Sequence, residues 1–261
     1  MLNVIIITNM SGHSKWSTIK RQKGVADIKR GQTFTKIANA ITIAVKLGSS
    51  GDPNSNPRLR MSLETAKSVN MPNENIKRAI ERGLGQGKEA LEEVLYEGFG
   101  PGHVAFIVEG VTDNKLRTNQ EIRSIFERNG GHLVGQGAVS YMFEKKGEIK
   151  VVSHQSSAVS KDDEILELID LGAEDVEEYE EGNIQRYLVY VGSSELNTMG
   201  TKITQAGYEI ESQDLVMKST TTQPVTDPDL AKKVVDFASK LEEQNDVQKV
   251  YANFDIPEEL L

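Results

Sequence analysis

The sequence predicts an α+β protein of three domains: an all-helical N-terminal domain and two ferredoxin-like α/β domains, one inserted in the other. Three observations predict it. Apolar residues recur at helical spacing up to residue 82, whereas strand and helix signals alternate beyond residue 103. The signals over 148–216 run β-α-β-β-α-β, the split βαβ succession. The charge also divides: residues 1–82 carry 14 Lys and Arg against 5 Asp and Glu, a net +9, and residues 83–261 carry 16 against 34, a net −18.

In the head, Phe34, Ile37, Ala38, Ile41, Ala44 and Val45 mark one helix face over 33–47, and Gly48 through Pro53 end it. A second helix over 57–69 turns Leu59, Leu63 and Ala66 inward. After Asn70-Met71-Pro72-Asn73, a third sets Ile76, Ala79 and Ile80 against Lys77, Arg78 and Arg82 and closes at Gly83. Residues 14–31 have poor apolar periodicity and read equally as a helix or as a basic arm that orders on a partner. The first nine residues read as an appendage before a start at Met10, or as a short edge strand.

In the body, strands are expected over 104–108, 139–143, 148–152, 173–179, 184–191, 208–216 and 247–254. Helices are expected over 119–129, 162–171, 195–206 and 229–241. Gly98–Gly102 reads as a tight turn, and Lys145-Lys146-Gly147 as a turn between two strands. The pieces flanking 148–216 form a second, similar unit short of one strand. The expected domains are therefore 10–82, a discontinuous 83–147 plus 217–261, and an inserted 148–216.

A chain of 261 residues accommodates two or three compact units. With 38% hydrophobic and 26% charged residues it has a globular composition. It holds no Cys. That excludes disulfides, thiol nucleophiles and Cys-based metal sites, and it suits a reducing cytoplasm, the expected location. The longest early apolar run, Val4–Ile7, is far below the roughly 20 residues of a membrane span, so no membrane partner is expected.

A basic head on an acidic body points to a polyanion as partner, approached in one orientation. The cations are densest between His13 and Lys36, where Lys15, Lys20, Arg21, Lys23, Lys29, Arg30 and Lys36 face one acid, Asp27. Trp16, the single Trp, lies among them as a base-stacking ring or, alternatively, as a core anchor. Arg58, Arg60, Lys77, Arg78 and Arg82 extend the set of candidate nucleic-acid contacts. The bland alternative is a solvated helix surface.

Catalytic patterns are missing. His13, His103, His132 and His154 have no metal-ligand spacing, and neither HExxH nor a Gly-x-Ser-x-Gly elbow occurs. Gly83-x-Gly85-x-Gly87-Lys88 lacks the Ser or Thr of a phosphate loop and reads as a flexible hinge. Residues 162–181 contain 11 acids and no Lys or Arg, read as solvated surface, with a basic protein partner as the lesser alternative. No enzyme, cofactor or metal is expected.

Several segments together resemble the YebC/PmpR family: Gly12-His13-Ser14-Lys15-Trp16, Lys29-Arg30-Gly31, Phe34-Thr35-Lys36 and Asn56-Pro57-Arg58-Leu59-Arg60 in the head. Asn70-Met71-Pro72 and Tyr96-Glu97-Gly98-Phe99-Gly100-Pro101-Gly102 follow, then Thr112-Asp113-Asn114 with Arg117-Thr118, and Val139-Ser140-Tyr141-Met142-Phe143-Glu144. The likeness covers about residues 11–147. Members often carry a His among the cations after Trp, where this chain has Lys20-Arg21-Gln22-Lys23. The resemblance implies three domains and a role in gene expression. That role is transcriptional regulation by DNA binding or, as the alternative, translational activation on the ribosome through ribosomal or transfer RNA, supporting synthesis of proline-rich stretches.

Overall fold

The computed structural model describes residues 29–86, 91–154, 160–181 and 184–260. Its head comprises α1 (Lys29–Gly48), α2 (Pro57–Ser68) and α3 (Asn73–Glu81), followed by one π-helical turn, Arg82–Gln86. Ile37, Ile41, Ala44 and Val45 of α1 form the inward stripe and pack on Leu59 and Ala66 of α2, Met71, and Ala79 of α3. Asn56 joins the first two helices. Its side chain accepts from Leu59 N–H at 3.0 Å, capping α2, while its Nδ2 donates to the carbonyls of Ala44 (2.8 Å) and Ser50 (3.1 Å). Pro57 occupies the first turn, where its missing N–H leaves nothing unsatisfied.

The first body sheet contains β1 (Glu92–Phe99), β2 (Ala105–Thr112), β3 (His132–Val134) and β9 (Val247–Ala252). Its order is β3-β1-β2-β9, with every neighbour antiparallel. α4 (Lys115–Arg128) and α7 (Pro228–Glu243) cover one face. There Phe237 meets Phe106 and Phe126 edge-on, each with centroids 4.9 Å apart. The sequence reading lacks β1, and it places at 139–143 the strand that the structure forms at β3. The alternation of β1 is hidden by Glu92, Glu93 and Glu97 and by Gly98, whose Cβ would lie 2.4 Å from the Phe126 ring and 2.7 Å from the His132 carbonyl. Only glycine lets α4 and β3 approach that closely. The expected turn shrinks to a single 3₁₀ turn, Pro101–His103.

The second body sheet contains β4 (Phe143–Val152), β5 (Asp175–Glu181), β6 (Ile184–Gly192) and β7 (Glu209–Ser219), ordered β5-β6-β4-β7, with α5 (Lys161–Asp170) and α6 (Leu196–Gln205) on one face. This is the ferredoxin-like arrangement, and it lies in the chain between β3 and β9 of the first sheet. Lys145-Lys146-Gly147 is not a turn: β4 runs through it unbroken. Lys146 is held in the strand by Glu144 (2.8 Å) and Glu174 (2.6 Å). A Cβ on Gly147 would come within 3.0 Å of Leu196, so the glycine serves helix packing. Residues 139–143 are largely a 3₁₀ turn, Ser140–Met142, rather than a strand.

The two sheets pack through their remaining faces. Ala105, Ile107 and Tyr251 of the first meet Leu188, Tyr190 and Val216 of the second. β2 is thus covered on both sides, which is why 104–108 reads as an unbroken apolar run. A short parallel pairing of β8 (Gln223–Pro224) with β10 (Phe254–Asp255) completes the strands among the described residues.

The acidic stretch 162–181 is not all surface. The Glu164 carboxylate is buried and accepts from Ser153 Oγ (2.8 Å), His154 N–H (2.9 Å) and Tyr187 O–H (2.6 Å). Burial, reinforced by that carboxylate, pushes the Tyr187 phenol well above its ordinary value. Glu177 is also buried and is paired with Lys218 at 3.1 Å.

Candidate nucleic-acid interface

The helical head turns its cations outward because its apolar stripes are used up on α1. On α2, Leu59 and Ala66 point in, and Arg58, Arg60 and Lys67 are exposed. Arg60 and Lys67 are seven residues apart, two helical turns, so they share a face. On α3, Ala79 is buried and Lys77 and Arg78 are exposed, with Arg82 exposed just beyond.

These cations differ in how far they are engaged. Arg60 and Lys67 form no ion pair among the described residues. Lys77 lies 4.0 Å from Glu81, a weak pair between exposed groups. Arg78 is hydrogen-bonded to Asn75 Oδ1 and, at 3.4 Å, to the Glu74 carbonyl. Arg82 reaches Asn39 Oδ1 on α1 at 3.4 Å. None of these three contacts neutralises a cation strongly.

Lys36 and Arg58 are placed differently. Lys36 Nζ donates to the Glu242 carbonyl near the C-terminus of α7 at 2.6 Å, favourable for a cation there. Arg58 pairs with Glu93 on β1. With Lys46, which donates to the Leu91 carbonyl at 2.8 Å, they tie the head to the first sheet. Lys46 carries no sequence signal beyond its charge. α2 also touches the second body domain, where Met61 packs against the core around Leu196 and Met199.

Lys29 and Arg30 open α1; their side chains, and all of Lys15, Trp16, Lys20, Arg21 and Lys23, lie outside the described residues. So does the expectation for residues 1–9. Residues 1–30 carry six cations and one acid, and residues 31–86 carry eight and four. Residues 31–86, whose charged side chains are described, therefore hold a net +4 of the total +9.

The segment expected to act as a flexible hinge is packed at its start. A Cβ on Gly83 would lie 2.6 Å from Val45 Cβ and 2.7 Å from the Thr42 carbonyl, whereas Gly85, at φ +90°, has open space. Among the described residues no group of three or more His, Asp or Glu could hold a metal ion, and no helix is long and apolar enough to cross a membrane.

Comparison with known proteins agrees with this architecture. Residues 14–86 match the TACO1/YebC protein N-terminal domain, and residues 91–254 match the TACO1/YebC second and third domain. A relative from Chloroflexus aurantiacus, named a probable transcriptional regulatory protein, is 48% identical over 256 residues, 97% of this chain and 98% of its own length. One of the same name from Aquifex aeolicus is 43% identical over 253 residues, covering 97% and 98%. The crystal structure of a conserved hypothetical protein from Aquifex aeolicus superposes with a TM-score of 0.79 at 42% identity, covering 90% of this chain and 94% of that one. On two family models that together span most of its length, the chain belongs to the TACO1/YebC family.

Proposed function

We propose that this protein is a non-enzymatic regulator of gene expression in the cytoplasm that binds nucleic acid through its helical head. One observation carries the reading: exposed cations on α2, α3 and the turn after it, in a head of net +9, mounted on a body of net −18. Lys15, Lys20, Arg21, Lys23, Lys29, Arg30, Arg60, Lys77, Arg78 and Arg82 would contact phosphates, with Trp16 stacking among them. Each phosphate neutralised releases counterion, so affinity falls steeply with salt. Lys36 and Arg58 would hold the head on the body. The naming of the relatives as probable transcriptional regulatory proteins supports DNA as the target. We take the domains as 10–82, 83–147 plus 217–261, and 148–216, a division supported by the strand order of the two sheets.

The test is the quadruple variant K20E/R21E/K29E/R30E in a gel-shift titration at two salt concentrations. It should lose polyanion binding and keep its far-UV circular dichroism. Affinity and salt slope equal to the parent's would remove these residues from the interface. Crosslinking in cells followed by sequencing identifies the target: promoter DNA fits transcriptional control, whereas ribosomal or transfer RNA fits a translation factor.

A further inference from the structure

Two stretches of the acidic body that meet in space are free of acid and make a window in it. Residues 128–143 and 215–226, 28 in all, hold no Asp or Glu, although 34 of the 179 residues from 83 to 261 are acidic. The two stretches are adjacent in space. Phe143 is in register with Ser219, and the Met142 carbonyl accepts from Thr220 N–H (2.8 Å) and Thr220 Oγ1 (3.0 Å). At this end of the sheet pair Gly135–Ala138 and Thr220–Thr222 are exposed. The surface therefore offers hydroxyls, an amide and bare backbone. Beneath the loop, the Glu97 carboxylate is 3% exposed and turned to the loop's own N–H groups; Asp175 and Glu177, farther along the sheet, are paired with Lys218.

Tyr141 stands out of this window with 71% of its surface exposed. It is not on a loose segment. Glu97 Oε1 accepts from Gly137 N–H at 2.8 Å, and Oε2 from Val139 N–H at 2.8 Å and Ser140 N–H at 3.0 Å. Val139, fully buried, anchors the same turn. Gly137 takes φ +89°, a conformation glycine adopts without strain. An aromatic ring held rigidly in water loses little freedom when it stacks, and every nucleobase has a face to stack on.

We propose that the Gly135–Tyr141 loop, with Thr220–Thr222 beside it, is a second nucleic-acid contact, in which Tyr141 stacks on an unpaired base of a single-stranded segment. This rests on the reading of the head as a phosphate-binding module. The head holds the backbone through charge; the exposed residues beside the Tyr141 ring, Gly135–Ala138 and Thr220–Thr222, carry no carboxylate of their own to repel it. A stacked base must be out of a duplex, so the contact favours single strands.

The experiment measures fluorescence anisotropy of a labelled 20-nucleotide single strand and of the matching duplex with the full chain, its Y141A and Y141F variants, and the head quadruple variant. A 2-aminopurine strand reports stacking directly by quenching. Y141A should bind the single strand about tenfold more weakly, the duplex unchanged, with quenching lost; Y141F, which keeps the ring face, should match the parent. Equal affinities of Y141A and parent for the single strand, or an equal loss on the duplex, overturn the proposal, and the former makes the window a protein-contact surface. If the parent binds and only the head variant fails, the head reading survives alone. If the parent binds neither oligonucleotide, both readings fall.

Discussion

Replacing Glu97 by Gln tests how the Gly135–Tyr141 loop is held. The carboxylate accepts three backbone N–H groups at 2.8, 2.8 and 3.0 Å, and the side chain is 3% exposed. Burial pushes its pKa up, but the three N–H groups, with Ser140 contributing further, outweigh this and hold it below the usual carboxylate range. An amide keeps one acceptor oxygen and turns an NH₂ group toward at least one N–H donor. At about 1–3 kcal/mol for each buried donor left unsatisfied, one or two lost donors cost roughly 2–4 kcal/mol. That cost falls on opening of the loop before it falls on global unfolding. The readout is native-state amide hydrogen exchange at Gly137, Val139 and Ser140. At about 1.4 kcal/mol per tenfold change, exchange there should accelerate at least tenfold in E97Q, while Val189 in the second sheet is unaffected. The sign with pH follows from the depressed pKa: the stabilisation is complete above the unfolded carboxylate range, near 4, and disappears as pH falls through the lower folded value. Unaltered exchange at all three amides would show that the turn is held by Val139 packing, and would refute the carboxylate's role.

Two further substitutions probe the first sheet. Asp246 accepts from Thr118 Oγ1 (2.6 Å), Arg117 (2.9 Å) and Thr112 Oγ1 (3.1 Å); burial raises its pKa, but these donors, Thr118 foremost, bring it below the ordinary value. D246A should destabilise the chain by about 2–3 kcal/mol, the cost of leaving the buried Thr112 and Thr118 hydroxyls without their acceptor, seen as a lower denaturant midpoint at unchanged slope. G98A should cost roughly 1–3 kcal/mol by overpacking against Phe126 and the His132 carbonyl; a melting temperature equal to the parent's would mean that α4 shifts freely.

Much of the fold was legible because period and burial coincide. α1, α2 and α7 each bury one stripe, so their spacing stands out, whereas the caps that Asn56 and Asp227 provide for α2 and α7 appear only in the structure. β2 and β6 are apolar on both faces because each is covered twice. Illegible elements are those whose residues answer to distant neighbours. β1 hides behind glutamates that pair with Arg58, Lys115 and the loop N–H groups. Gly147 imitates a turn because α6 needs the space of its missing side chain. In the candidate interface, charge marked Arg60, Lys77, Arg78 and Arg82 correctly as outward-facing, but charge alone could not separate them from Lys36 and Arg58, whose partners lie on other domains. Tyr141 went unmarked as a candidate because nothing local distinguishes an exposed tyrosine from a buried one.

The placement of β9 imposes an order on biosynthesis. β2, near the middle of its sheet, is flanked on one side by a strand more than 130 residues downstream. When the ribosome has delivered residue 219, every strand of the inserted sheet exists, whereas its host lacks both α7 and its closing edge. The nested domain can therefore finish folding while the host waits half-built, its β2 edge open to wrong pairings until β9 emerges. Truncations that clip β9 should in consequence damage the older, upstream half of the host rather than the polypeptide's tail alone.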